Sequence, residues 1–149
     1  MPRNYDLSGI PFEDPATGNQ VFFDNTDNPY WTLKNNTFTD ELDRVIGNVA
    51  LKYYLKPWLA VNYRLGVDAS AYGTVGYDQI GARGGANTSA GGTGGIANSS
   101  LTSRDMNSYF QIIGNKKITD DLKLDFNIGN EVVESRSTYI STTGKNLAI

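Results

Sequence analysis

The chain has 149 residues, of which 39% are hydrophobic and 11% aromatic, which places it among sequences that fold. It contains no Cys and no His, so disulfides, thiolate metal sites, thiol nucleophiles and imidazole bases are excluded. A formal net charge of −3 speaks against a nucleic-acid partner, which demands a basic stripe.

Residues 1–4 lack the charged-then-apolar layout of a secretory leader, and the chain reads as a segment of a longer protein. Residues 1–42 are rich in Asn, Asp, Pro, Gly and Thr and are broken by Pro11, Pro15 and Pro29. They predict a long loop with local turns. The pattern changes at residue 44. Val45, Gly47, Val49, Leu51, Tyr53 and Leu55 share one parity against Arg44, Asn48, Lys52 and Tyr54, with Ile46 and Ala50 as exceptions.

After a short turn at Lys56 and Pro57, a second run over residues 58–72 repeats the alternation. Leu59, Val61, Tyr63, Leu65, Val67, Ala69 and Ala71 occupy odd positions, and Asn62, Arg64, Asp68 and Ser70 even ones. Period two over such lengths predicts strands with one apolar and one wet face. At 12–15 residues these runs far exceed the usual strand of about 5–6 and match the ~9–11 residues that a tilted strand needs to cross a bilayer.

A Gly-rich polar stretch at about 73–104 predicts a long flexible loop. A third strand resumes near residue 105, its apolar face carried by Phe110 and Ile112, and a three-residue turn at Thr119, Asp120 and Asp121 follows. In the fourth, Leu122, Leu124, Phe126, Ile128 and Val132 alternate with Lys123, Asp125, Asn127, Gly129 and Glu131. Residues 139–149 read as the start of another loop.

The predicted fold is therefore all-β, an antiparallel meander of about four long strands spanning residues 43–138, and a segment of a large transmembrane β-barrel. Short turns alternating with long connections are the asymmetry of outer-membrane barrels, whose short turns are periplasmic and whose long loops are extracellular. On that reading residues 1–42, 73–104 and 139–149 are extracellular. The odd face of the first two strands meets lipid and the even face the lumen.

Asp27, Asn28, Pro29, Tyr30 and Trp31, then Arg44 to Asn48 with Ile46 and Gly47, then Trp58 and Leu59, then Arg64, Gly66 and Asp68, carry a resemblance. In order and spacing this stretch of about residues 27–72 resembles a mid-barrel portion of the SusC/RagA family of TonB-dependent outer-membrane transporters of Bacteroidota. The resemblance implies a nutrient importer of glycan fragments or oligopeptides, a SusD-like surface lipoprotein as partner, and energy from the TonB system. It implies a plug domain and further strands that this chain does not contain.

Four residues stand out as candidate loop or lumen contacts. Tyr30 and Trp31 offer rings for stacking on a sugar face or for packing a loop on the barrel rim. Arg64 and Asp68 share the wet face four residues apart and are expected to pair inside the lumen or to touch the plug, as framework rather than as a ligand site. No catalytic, cofactor or metal residues are expected: the carboxylates are scattered, and GxxxxGK[ST] is absent because Asn146 follows Gly144 and Lys145. The rival class is a soluble or surface β-rich carbohydrate-binding module. A carboxylate-pair hydrolase is a third, without spacing to support it.

Overall fold

The computed structural model describes residue 9 and residues 11–22, 26–84 and 92–147. A helix, α1 (Pro29–Asn35), precedes four strands, β1 (Thr37–Lys56), β2 (Leu59–Asp78), β3 (Gly95–Lys117) and β4 (Lys123–Lys145). The strands form one antiparallel sheet in the order β1-β2-β3-β4, the all-β meander that the alternation predicts.

Two short connections close the hairpins at one end. Pro57 and Trp58 link β1 to β2, one residue later than the sequence places the turn, because the Trp58 carbonyl accepts the Asn115 amide at 2.8 Å and so fixes that residue against β3. Between β3 and β4 the Ile118 and Thr119 amides both donate to the Leu122 carbonyl, at 2.8 and 3.2 Å.

The strands outrun the alternation that announces them. β1 begins at Thr37, inside the stretch expected to be loop, β2 runs to Asp78, β3 starts at Gly95, and β4 continues to Lys145. The connection between β2 and β3 is thus residues 79–94 rather than 73–104, and residues 85–91 within it lie outside the described ones. These extensions are rich in Thr, Ser and Tyr, residues that favour strands, but their few apolar residues, such as Phe38, Leu42 and Leu101, do not keep to the parity of the apolar face, so periodicity does not mark them. The helix is a second departure. Asn28 and Pro29 are a cap and a first-turn residue rather than loop breakers: the Asn28 Oδ1 accepts the Tyr30 amide, and Pro29 needs no amide partner at that position.

Two compact units divide the chain, one of Met1–Glu41, Gly73–Ser100 and Ile140–Ile149, the other of Leu42–Tyr72 and Leu101–Tyr139. The second unit is the sheet with its alternation. Ser70 faces Ser103 across a 2.7 Å hydroxyl pair, and Asn62 donates to Gln111 at 3.0 Å, eight residues down β2 matched by eight up β3. No bulge interrupts that register. On β4, Asp125 accepts from Asn115 and Glu131 accepts from Asn107, both at 2.6 Å.

These pairs assign the faces. Even residues of β1 and β2 share the polar face with odd residues of β3 and β4. The odd residues of β1 and β2 lie with the even residues of β3 and β4 on the other. That second face carries Val45, Val49, Leu51, Tyr53 and Leu55 from β1, Leu59 to Ala71 at alternate positions from β2, Met106, Phe110 and Ile112 from β3, and Leu124, Phe126, Ile128 and Val132 from β4.

Nothing within the described residues covers this band. Val49, Leu51, Ile128 and Val132 are among the large apolar side chains left exposed, whereas among the described residues Trp31, Ala60 and Ala82 alone form buried apolar core. β1 and β4 are the sheet's edges, and strands of 20 and 23 residues make edges far longer than a soluble sheet leaves open.

One close approach stiffens the band. Gly114, buried in the central strand β3, lies under the Phe126 ring of β4 so closely that a Cβ there would come to 2.1 Å of Cε1. The aromatic ring covers backbone that a glycine leaves bare.

Candidate functional site

The polar face of the second unit brings together side chains from three neighbouring strands. Arg44 of β1 grips Asp68 of β2 with two hydrogen bonds, Nε to Oδ1 at 2.9 Å and Nη2 to Oδ2 at 2.6 Å. This fork matches a planar guanidinium to a carboxylate and fixes orientation as well as charge. Both side chains stay wet, 53% and 35% exposed, so water screens much of the attraction.

Asp68 therefore does not pair with Arg64, as its spacing had led one to expect. Four residues along a strand separate two Cα atoms by about 13 Å, beyond the reach of a salt bridge; the four-residue neighbour rule belongs to helices. Arg64 instead lies over the Tyr109 ring of β3, its guanidinium carbon 5.5 Å from the centroid. Lys52, Asn62 and Gln111 complete a shallow depression around Arg64 and Tyr109. The depression offers cations, amides and one ring, groups that hydrogen-bond and stack on polar solutes but make no bonds.

Three carboxylates of this face are engaged: Asp68 holds Arg44, Glu131 accepts from Asn107, and Asp125 accepts from Asn115 with Lys123 at 3.4 Å. Among the described residues no cluster of three His, Cys, Asp or Glu side chains could hold a metal ion.

The first unit contains the other two candidates. Trp31 is 2% exposed and packs against Gly81, where a Cβ would lie 3.7 Å from its Cη2. Gly81 has φ +101°, a conformation that L side chains avoid, so both the backbone turn and the ring's seat depend on glycine. A ring buried this way cannot stack on a sugar. The two-ring platform reduces to Tyr30, which is 47% exposed and tilts toward Phe12 at 6.5 Å between centroids. Trp31 is the anchor of a loop core instead.

A web of amides surrounds that anchor. Gln20 donates to Asp27 at 2.8 Å and to the Gly81 carbonyl at 2.6 Å, and accepts the Asn28 amide at 3.1 Å. Asp27 also receives the Arg83 and Gly84 amides, at 2.9 and 2.6 Å. Gln20 and Asn28 are buried, and burial of a polar group demands such partners. Sequence reasoning passed over Gln20 and used Asp27 and Asn28 only as part of the resemblance, without a role of their own. The Asn-Pro pair was the available signal for Asn28; nothing in the sequence connects Gln20 to Gly81, 61 residues away.

Outside the strands, an Asx turn orders residues 14–19. The Asp14 carboxylate accepts the Ala16 amide at 2.9 Å and the Thr17 hydroxyl at 2.8 Å, and these bonds hold its pKa below the ordinary carboxylate value.

In comparisons with known proteins, no family model matches the chain and no curated protein matches it.

Proposed function

We propose that this chain is part of the wall and outer loops of a TonB-dependent, SusC-like importer of the outer membrane, which takes up glycan fragments or oligopeptides. Its partners on this reading are outer-membrane lipid, a SusD-like surface lipoprotein and, through other parts of the protein, the TonB system. It binds and conducts; it is not an enzyme. The short turns face the periplasm, and the connection 79–94 and the loop core around Trp31 face the outside.

The observation that carries the membrane part of the reading is the uncovered apolar band and its limits. On β3 the band face runs from Arg104 to Lys116, with Met106, Phe110 and Ile112 between them. Twelve residues span about 40 Å along a strand, or about 28 Å of height at a tilt of ~45°. That is the thickness of a hydrocarbon core, bracketed by a cation at each end. The opposite face, with its Arg–Asp fork and amide pairs, suits a water-filled lumen. The importer part rests on the resemblance of residues 27–72 to the SusC/RagA family.

Two adjacent substitutions test the orientation. Val49→Arg places a cation on the band and should cost the folded, membrane-inserted state about 2–4 kcal/mol; Ala50→Arg, one residue along on the polar face, should cost close to nothing. Folding into bilayers measured against urea reads both, and equal costs would refute the assignment of faces. Uptake assays with glycan fragments and with oligopeptides, in cells lacking the protein that carries this chain, test the importer: undiminished uptake of both classes counts against it.

A further inference from the structure

Two cations on the polar face of the second unit lie on aromatic rings rather than beside carboxylates. The Lys52 ammonium is 4.9 Å from the centroid of the Tyr54 ring, and the Arg64 guanidinium carbon is 5.5 Å from that of Tyr109. Both side chains are exposed, and among the described residues neither forms an ion pair. Counting outward from Pro57 sets Lys52 opposite Asn62 and Ala50 opposite Arg64, so the two cations are diagonal neighbours with backbones about 7–8 Å apart. Ala50 contributes only a methyl group, and a hollow of about 250 Å³ opens among Ala50, Lys52, Asn62, Arg64, Tyr109 and Gln111.

The carboxylates of the second unit that share this face are placed or bonded elsewhere. Glu131 of β4 lies across Tyr109 from Arg64, two strand spacings or about 10 Å away, and accepts from Asn107 at 2.6 Å. Asp68 holds Arg44, Asp105 stands across from Asp68, and Asp125 accepts from Asn115. The groups around the hollow are mostly donors. Arg64 and Lys52 donate only, Gln111 keeps its amide N–H groups after accepting from Asn62 at 3.0 Å, and the Tyr109 hydroxyl has no hydrogen-bond partner among the described residues. Neighbouring like charges repel one another, and one anion between them adds an attraction to each.

We infer that this hollow binds the carboxylate of an acidic solute, held by Arg64 and Lys52 with the Tyr109 hydroxyl as a further donor. The inference rests on the importer reading proposed above and narrows its two substrate classes to their acidic members, an oligosaccharide containing uronic acid or an oligopeptide rich in Asp and Glu. The planar fork of Arg64 matches two carboxylate oxygens, and Lys52 adds a mobile point charge from the neighbouring strand. A neutral sugar or an amide gains only ordinary hydrogen bonds there, which are roughly half as strong as charge-assisted ones. Because both cations are wet, the preference for an acid falls as salt is added.

The test uses the whole protein that carries this chain, purified in detergent, and isothermal titration calorimetry with four probes: trigalacturonate, its fully methyl-esterified form, tetraglutamate and tetraglutamine. Each pair matches in shape and differs in charge. At least one acid should bind about tenfold or more tightly than its uncharged counterpart, and Arg64→Gln with Lys52→Gln should bring that pair to parity. Ala50→Glu, which sets a carboxylate opposite Arg64 from within the chain, should do the same without removing either cation, so that a fold lost through the first variant does not obscure the result. A preference for the uronate assigns the glycan class, and one for the glutamate peptide assigns the peptide class. Acids that bind no better than their counterparts, a preference that survives both variants, or binding of none of the four would overturn the site. The uptake assay described above reads the importer separately. Uptake lost on deletion without an acid preference leaves the importer and removes this site; an acid preference with undiminished uptake leaves the site and removes the importer.

Discussion

Gly114→Ala is the sharpest perturbation available in the sheet, because its effect reverses when one other residue changes. A Cβ at 114 would stand 2.1, 2.3 and 2.9 Å from Cε1, Cζ and Cδ1 of Phe126, where carbon atoms prefer about 3.5–4.0 Å. β3 is central and hydrogen-bonded on both sides, so the ring must give way by more than 1 Å or leave its rotamer. Overpacking of this kind costs about 1–3 kcal/mol, against which the alanine returns about 0.4–1 kcal/mol by stiffening the unfolded chain. The net expectation is destabilisation of about 1–2 kcal/mol. In a Phe126→Ala background the obstruction is gone, only the chain-stiffening term remains, and Gly114→Ala should stabilise. The cycle thus predicts a coupling of roughly 2 kcal/mol between two residues twelve apart in sequence. Urea unfolding of the protein in detergent micelles, followed by far-ultraviolet circular dichroism, measures it. A coupling below about 0.5 kcal/mol would refute the claim that Phe126 lies over Gly114.

Trp31→Ala should remove about 3–5 kcal/mol from the first unit, seen as faster proteolysis of the loops, while Tyr30→Ala leaves that protection unchanged because its ring is half exposed. Asn28→Ala should cost about 0.5–2 kcal/mol through loss of the α1 cap, read in the same proteolysis assay. The Arg44→Ala and Asp68→Asn double-mutant cycle should return only about 0.2–1 kcal/mol, falling with added salt; a value above 2 kcal/mol would mean that the pair is far drier than its exposure indicates. For Asp14 the folded-state pKa is the lower one, so the turn's tightening is present above the ordinary carboxylate value and is lost as pH falls through the depressed one. The Ala16 amide shift followed by NMR on acidification should report that midpoint, and Asp14→Asn should abolish the titration.

The sheet was legible in the sequence wherever its two faces meet different surroundings. Between residues 45 and 71, Val, Leu and Tyr alternate with Arg, Asn and Asp, and the structure places those parities on opposite faces. Legibility ends where apolar residues are sparse and fall on the wrong parity: Phe38 and Leu42 in Thr37 to Asp43, and Tyr139 in Tyr139 to Lys145, do not continue the apolar face, and Gly95 to Arg104 hides among glycines and serines. The candidate site fared differently. Asp68 was visible as a polar-face residue, but its partner depends on register across the hairpin, which a two-residue shift in turn geometry alters. Counting outward from Pro57 as the centre places Arg44 opposite Ser70, one diagonal step of two residues from Asp68; counting along β2 leads wrongly to Arg64. Trp31 was legible as an aromatic that matters and not as a buried one, because its seat is made by Gly81, fifty residues on.

An apolar sheet face admits two coverings, a second protein layer or lipid, and the limits of the band help to separate them. A sandwich core is bounded by the loops that close the second layer over it, and its inward positions do not end in cations at matched depth. On β3 the uncovered face ends in Arg104 on one side and Lys116 on the other. On β4 the apolar run from Leu124 to Val132 gives way to Glu134, which pairs with Arg104 at 3.0 Å, so that both strands turn polar at one level. Meanwhile the opposite face carries the Arg44–Asp68 fork and the pairs Asn62–Gln111, Asn107–Glu131 and Asn115–Asp125. If the proposed bilayer covers the band, the edges at β1 and β4 cannot remain bare in it, because each unsatisfied backbone group there costs several kcal/mol. On the proposed reading, lipid on the band would require further strands on the edges, and a wall with lipid outside and water inside would be the wall of a barrel.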